Sequence, residues 1–300
     1  MNLLAFDTST DTLSIAVQRG AGAHARTWEH VGPGGAQASA KLIPAILQLM
    51  QQAGLEFGDL TAIVYGRGPG SFTGLRTACS VAQGLAFGAG AQGVAVLPVD
   101  TLLAVAEEAR FQLAANANLA DGSAPTLLHV TAMLDARMDE VYVQQYQFDS
   151  DVWLSYRDCK AIRPEEIVLD EVVLAQPNAA GVRPISLLAG NVFSVYAGRL
   201  PGQGLMGDSE TDPVGGAVVR CAALPTATAL LRLAPGLLRA GQAVAADQAL
   251  PLYIRDKVAQ TTQERLAAKA LTPVLPTVAA PPHTTHTTHT SAKPVTPASP

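Results

Sequence analysis

Twice along the 300 residues, a run of three short apolar segments is followed by a helical one, and this repeated order constrains the fold more than any other feature. In the first half, residues 2–6, 12–18 and 24–31 read as an antiparallel meander. A helix at 39–53, closed by Gly54, follows, then a strand at 61–65, a helix at 72–87, a strand at 93–97 and a helix at 101–113. Pro44 fits the first of these helices only if it stands in the first turn. After an Ala/Asn-rich break the order restarts: strands at 126–134, 140–148 and 153–159, a helix at 164–172, a strand at 185–189, and a helix at 213–233 interrupted by Pro225. The expectation is an α/β chain of two lobes with duplicated βββαβα order. Residues 1–113 form the first lobe, with 235–262 packing back on it, and 125–234 form the second. Residues 271–300 hold seven prolines, eight threonines, one charge (Lys293) and no aromatic residue. Such a composition cannot bury enough surface to offset ordering entropy, so 263–300 reads as a disordered tail.

Charge narrows the function classes. Net charge is −5 with 15% charged residues, and the basic residues are scattered. A concentrated basic face is what autonomous nucleic-acid binding requires, so direct binding is not expected. The most continuous apolar stretch, 80–99, contains Gln83, Gln92 and five Gly or Pro residues, which argues against a spanning helix. The first residues lack a basic segment and reach Asp7 too early for a signal peptide. Cys79, Cys159 and Cys221 are isolated and odd in number, which suits a reducing compartment, the cytoplasm by default.

Two loops carry candidate chemistry. Asp7-Thr8-Ser9-Thr10 lies between the first two strands. In the actin, sugar-kinase and heat-shock chaperone superfamily, an acidic residue followed by small hydroxyl residues lets backbone N–H groups approach a nucleotide phosphate. The same four residues also make an ordinary hairpin turn. The second loop, GRGPGSFTGLR at 66–76, joins a strand to a helix. Its Gly68, Pro69, Gly70, Ser71, Phe72, Thr73, Gly74 and Arg76 suit an anion at a helix N-terminus, but also a tight turn capped by Ser71 or Thr73. It lacks the lysine of a Walker loop and the spacing of a dinucleotide fingerprint. Gly190-Asn191 follows a strand as an adenosine-loop remnant would. Asp135 and Arg137 offer either a carboxylate at the interlobe cleft or a structural ion pair. Leu42, Ile46 and Leu49, with Ala78 and Ala82 on the next helix, read either as a two-helix partner face or as core. No metal site is expected. The HTTHTTH run (His283, His286, His289) lies in the tail without fixed geometry.

LLAFDTST at the start, YGRGPGSFTGLR with AQGLAFG, LPVDTL, LDARMDEVY and PLYIRDKVA, in this order, resemble the TsaB (YeaZ) family over residues 1 to about 260. The resemblance implies a two-lobed actin-like ATPase fold with a degenerate nucleotide site. It also implies a non-catalytic role beside TsaD, which transfers a threonylcarbamoyl group to the adenosine next to the anticodon. TsaE, a homodimer, tRNA contacted only through the complex, and ATP used by the wider complex rather than by this chain belong to the same implication. The chain departs from the family at residues 38–44 (ASAKLIP), where members often carry a histidine. The alternative is an active ATPase or small-molecule kinase of the same superfamily, with Asp7 positioning a metal or water.

Overall fold

A computed structural model describes residues 1–90, 93–116, 127–169, 181, 184–201 and 218–255. The first sheet contains β1 (Leu3–Asp7), β2 (Thr12–Arg19), β3 (Arg26–Pro33), β4 (Ala62–Gly68) and β5 (Ala95–Asp100), in the order β3-β2-β1-β4-β5. β1 runs antiparallel to β2 and parallel to β4, and β4 runs parallel to β5. The second sheet repeats this arrangement with β6 (Leu127–Arg137), β7 (Glu140–Asp149), β8 (Val152–Ser155), β10 (Ile185–Gly190) and β11 (Val218–Ala222) in the order β8-β7-β6-β10-β11; β9 (Lys160–Ile162) also pairs with β7. Each sheet is thus a meander extended by two parallel strands, and the duplication inferred from element order recurs in the pairing.

β1 is apolar from Leu3 to Phe6 because both faces of the first sheet are covered. Leu4 and Phe6 enter a core with α1 (Ala38–Ala53) and α2 (Phe72–Gly88), whereas Leu3 and Ala5 enter one with α4 (Ala227–Arg239). α3 (Thr101–Asn116) packs on the second sheet through Leu102, Val105, Ala106 and Ala109, and also touches α4. α3 and α4 therefore form the layer joining the two sheets. Among the described residues, no helix is long and apolar enough to cross a membrane.

Four expectations need correction. Pro44 is the seventh residue of α1, not a first-turn residue; its ring lies on the exposed side, where the carbonyl it leaves unpaired can reach water. Where one helix was expected over 213–233, β11 pairs in parallel with β10 and α4 begins only at Ala227. The Val218-Val219 pair favours a strand, Pro225 marks the break, and Thr226 caps α4 by accepting from Ala229 N–H at 3.1 Å. The segment at 153–159 divides between β8 and β9, and only a 3-10 turn, Pro164–Glu166, stands where a helix at 164–172 was expected. Residues 170–172, 213–217 and the 263–300 tail lie outside the described residues.

The α3–α4 layer is held by Glu107, which is 3% exposed. Its carboxylate accepts two bonds from Arg110 at 2.8 Å, one from Arg232 on α4 at 2.9 Å and one from the Trp153 indole on β8 at 3.1 Å. Arg232 also donates to Glu108 at 2.6 Å. Removing the central anion leaves Arg110 without its carboxylate and Arg232 with Glu108 alone, and breaking a buried pair from one side typically costs about 3–5 kcal/mol. Glu107→Ala is therefore expected to lower unfolding free energy by about 3 kcal/mol in urea titrations; a loss below about 1 kcal/mol would contradict this role.

Candidate functional site

The parallel pairing of β1 and β4 sets the Asp7–Thr10 turn beside the 66–76 loop. Glycines let the two backbones touch. A Cβ on Gly66 would lie 1.8 Å from Asp7 Oδ2, one on Gly70 would lie 2.6 Å from the Ser9 carbonyl, and one on Gly74 would lie 1.9 Å from the Thr8 carbonyl. Two hydrogen bonds fix the contact: Ser71 N–H donates to Ser9 O at 2.7 Å, and the Thr8 hydroxyl donates to Gly74 O at 2.7 Å. Ser71 occupies the N-cap position of α2 but makes no side-chain cap bond; its backbone N–H is the donor to Ser9. Thr10 stands at the edge, half-buried, bonded to Thr12 at 3.2 Å.

Residues 250–255 cross the outer side of the loop as a strap. The Tyr65 hydroxyl donates to Leu250 O at 3.0 Å, and Leu252 N–H donates to Arg67 O at 2.7 Å. Gly68, with φ +126° and a cis bond to Pro69, leaves only 2.4 Å between a built Cβ and Leu252 O. Arg76 lies 3.8 Å from the Phe72 ring centre and donates to the Tyr253 hydroxyl at 3.1 Å, while the Phe72 and Tyr253 rings stand 5.1 Å apart. Arg255 then reaches the second lobe, donating to Ala136 O at 3.0 Å, to Arg137 O at 3.2 Å and to the Glu140 carboxylate. It braces a turn in which Arg137, Met138 and Asp139 all have positive φ, a costly conformation for side-chain-bearing residues.

On the second lobe, Gly190 has φ +150° and packs so closely on β6 that a Cβ would lie 1.9 Å from Met133 O. Asn191 accepts from Asp135 N–H at 2.9 Å, and the Tyr196 hydroxyl donates to Asp135 at 3.0 Å. Arg137 bridges Asp135 at 3.2 Å and Asp11, on the first lobe, at 2.7 Å. Asp135 is thus engaged in structural bonds, and Gly190-Asn191 serves to hold β6 and β10 together.

Residues 66–74 lie directly against the backbone of residues 7–9, the turn at which the resemblance implies a degenerate nucleotide site. Asp7 is completely buried. Its Oδ1 accepts the Ser9 amide at 2.8 Å and the Ser9 hydroxyl at 2.6 Å, but Oδ2 has no partner. Burial raises its pKa to about 6 against the weaker lowering effect of the Ser9 bonds. Among the described residues, no group of three His, Cys, Asp or Glu side chains converges as a metal site.

The five residues expected at a partner face are instead core. Leu42, Ile46, Leu49, Ala78 and Ala82 are all buried against the first sheet. α1 carries a second apolar stripe, Ile43, Pro44 and Leu47, and this one is exposed, with Ile43 at 43% and Leu47 at 51%. On the outer side of α2, Gly84 faces open space and Phe87 is exposed. The signal in the sequence is that Leu42, Ile43, Ile46, Leu47, Leu49 and Met50 make the α1 stripe wider than one sheet contact requires. The strap's Tyr253 and Arg255 carry no local signal of their contacts, which join residues far apart in sequence.

The raised Asp7 pKa has a defined consequence. The folded state holds this proton more tightly than the unfolded chain, so stability is greatest below about pH 4 for this group and declines as pH rises through about 6. The shift corresponds to about 3 kcal/mol. In urea unfolding across pH 4–8, Asp7→Asn should gain up to about that amount relative to the parent as pH rises; a difference independent of pH would refute the assignment.

Comparison with known proteins agrees with this construction. The family profile described as TsaD, tRNA N6-adenosine threonylcarbamoyltransferase, matches residues 32–173. The chain is 29% identical over 259 residues to the tRNA threonylcarbamoyladenosine biosynthesis protein TsaB of Escherichia coli, covering 86% of this chain and 96% of that one. It is 37% identical over 146 residues to TsaB of Haemophilus influenzae, covering 48% of this chain and 53% of that one. The solved structure of YeaZ from Pseudomonas aeruginosa superposes with a TM-score of 0.63 at 31% identity, covering 84% of this chain and 99% of the other. The two duplicated α/β lobes are those of the actin-like fold, and the chain belongs to the TsaB/YeaZ family.

Proposed function

We propose that this chain acts in tRNA threonylcarbamoyladenosine biosynthesis as a non-catalytic partner and scaffold that binds and activates TsaD, which modifies the adenosine beside the anticodon. The observation that carries this reading is the seam between residues 7–9 and 66–74. On this reading the chain's own backbone stands where an active member of the fold would cradle phosphate; what supports it is the close packing of the two turns and the complete burial of Asp7. On this reading the chain needs no cofactor of its own, ATP is consumed elsewhere in the complex, TsaE joins the pair, and tRNA is contacted through the partners. The scattered basic residues and the absence of disulfides among Cys79, Cys159 and Cys221 support indirect RNA contact and a cytoplasmic setting.

The partner face assigned on this reading is the outer side of α1 and α2. Ile43, Pro44 and Leu47 offer apolar area, and Gly84 allows close helix approach without a side chain in the way. The same face would serve a homodimer, so the two assemblies would compete for it.

Two substitutions separate this face from the fold. Gly84→Leu replaces an exposed helical glycine by a better helix former and should raise monomer stability by about 0.5–1 kcal/mol, yet obstruct helix approach. Together with Leu47→Asp, it should weaken TsaD association at least about tenfold and reduce tRNA modification in reconstituted mixtures. Unchanged association would overturn the assigned face. Equal modification by TsaD and TsaE without this chain would overturn the partner role itself.

A further inference from the structure

Antiparallel pairing sets Arg19 of β2 directly opposite Arg26 of β3, and side chains so placed share one face of the sheet with Cβ atoms about 4.5–5.5 Å apart. Like charges in that position destabilise a strand pair unless something offsets them. Arg19 donates to Ala53 O at the end of α1, at 3.0 Å, and among the described residues neither guanidinium forms an ion pair. Both line a cavity of about 510 Å³ together with His24, Trp28, Gln51 and Gln52, and none of its described lining residues carries a carboxylate. Glu29, the one acidic residue of the two strands, alternates onto the other face of β3 and lines a separate cavity with Arg232 of α4.

The carbonyl end of α1 would oppose an anion, but three carbonyls of its last turn are engaged. Gly54 N–H donates to Gln51 O and Leu55 N–H to Met50 O, each at 3.1 Å, and Arg19 takes Ala53 O. Trp28 is half-buried against the core of the first lobe and gives the cavity one fixed wall. Two guanidinium forks and an imidazole without a competing carboxylate select an anion, and forks this close together suit one group with more than a single negative charge. A terminal phosphate or a diphosphate meets that demand, whereas a phosphodiester carries one charge per phosphate. The volume falls within the range of small-molecule sites. We propose that this cavity binds a small ligand through a terminal phosphate or diphosphate group, held between Arg19 and Arg26, with His24 and the Gln51 and Gln52 amides donating around it. The site is separate from the turns at 7–10 and 66–76 and does not rest on the partner role.

The test uses the full chain in phosphate-free, low-salt buffer and follows the amide signals of residues 19–28 and 51–54 and the indole N–H of Trp28. Pyrophosphate and ADP should each give saturable shifts at about millimolar concentration or below. Equal affinities mean that the diphosphate alone is held, and tighter ADP means that the Trp28 ring also meets its base. An oligoribonucleotide without terminal phosphates should bind at least about tenfold more weakly. Arg26→Gln, an exposed substitution, should weaken pyrophosphate about tenfold. It should also raise the melting midpoint at low salt by removing the like-charge pair, a gain that shrinks at high salt. No saturable response to pyrophosphate by about 10 mM would overturn the proposal, as would a response that Arg26→Gln leaves unaltered or an oligoribonucleotide that binds as tightly as pyrophosphate.

Discussion

The contact of residues 66–74 with residues 7–9 is the constraint on which the rest of this structure depends. Gly66, Gly70 and Gly74 are each so close to the opposing turn that any Cβ would collide with it. Only glycine permits such an approach, and the two cross-bonds from Ser71 and Thr8 then fix it. The same contact isolates Asp7 from water, which raises its pKa and leaves one oxygen without a donor. A chain that used Asp7 on a ligand would have to open this seam first.

Two further devices hold the seam in place. The strap at 250–255 closes its outer side and continues to the second lobe, where Arg255 satisfies two carbonyls of the β6–β7 turn and pairs with Glu140. Behind it, the α3–α4 layer joins the sheets through Glu107 and its four hydrogen bonds. One connection lies at the cleft side and one in the core. Together they tie the two lobes to each other at two separate places, the arrangement on which the proposed scaffold role relies.

The sheets were legible because their signals are local. The apolar run at β1, the alternation in β2 and the glycine stop after α1 all follow from short-range chemistry, and the duplicated order led directly to the duplicated topology. β11 was missed because a five-residue strand in an Ala/Gly-rich stretch shows no period of its own; its strand character depends on β10 lying alongside. The partner stripe failed differently. α1 is apolar on two adjacent stripes, and periodicity cannot say which turns inward; the first sheet buries Leu42 and Ile46 and leaves Ile43 and Leu47 outside. In the candidate site, the loops stood out by their glycines, but the burial of Asp7 and the strap join residues about 60 and 180 positions apart in sequence, a juxtaposition only the fold supplies.

The proposed function rests on a seam in which residues 66–74 close over the turn at the end of β1. Its most direct measurement is a titration of the intact protein with ATP and Mg²⁺, following the amide signals of residues 7–10 and 66–74. The account predicts that these signals stay in place at millimolar nucleotide in parent and Asp7→Ala protein alike. Saturable shifts at both turns that disappear in Asp7→Ala would contradict it and favour an active nucleotide site.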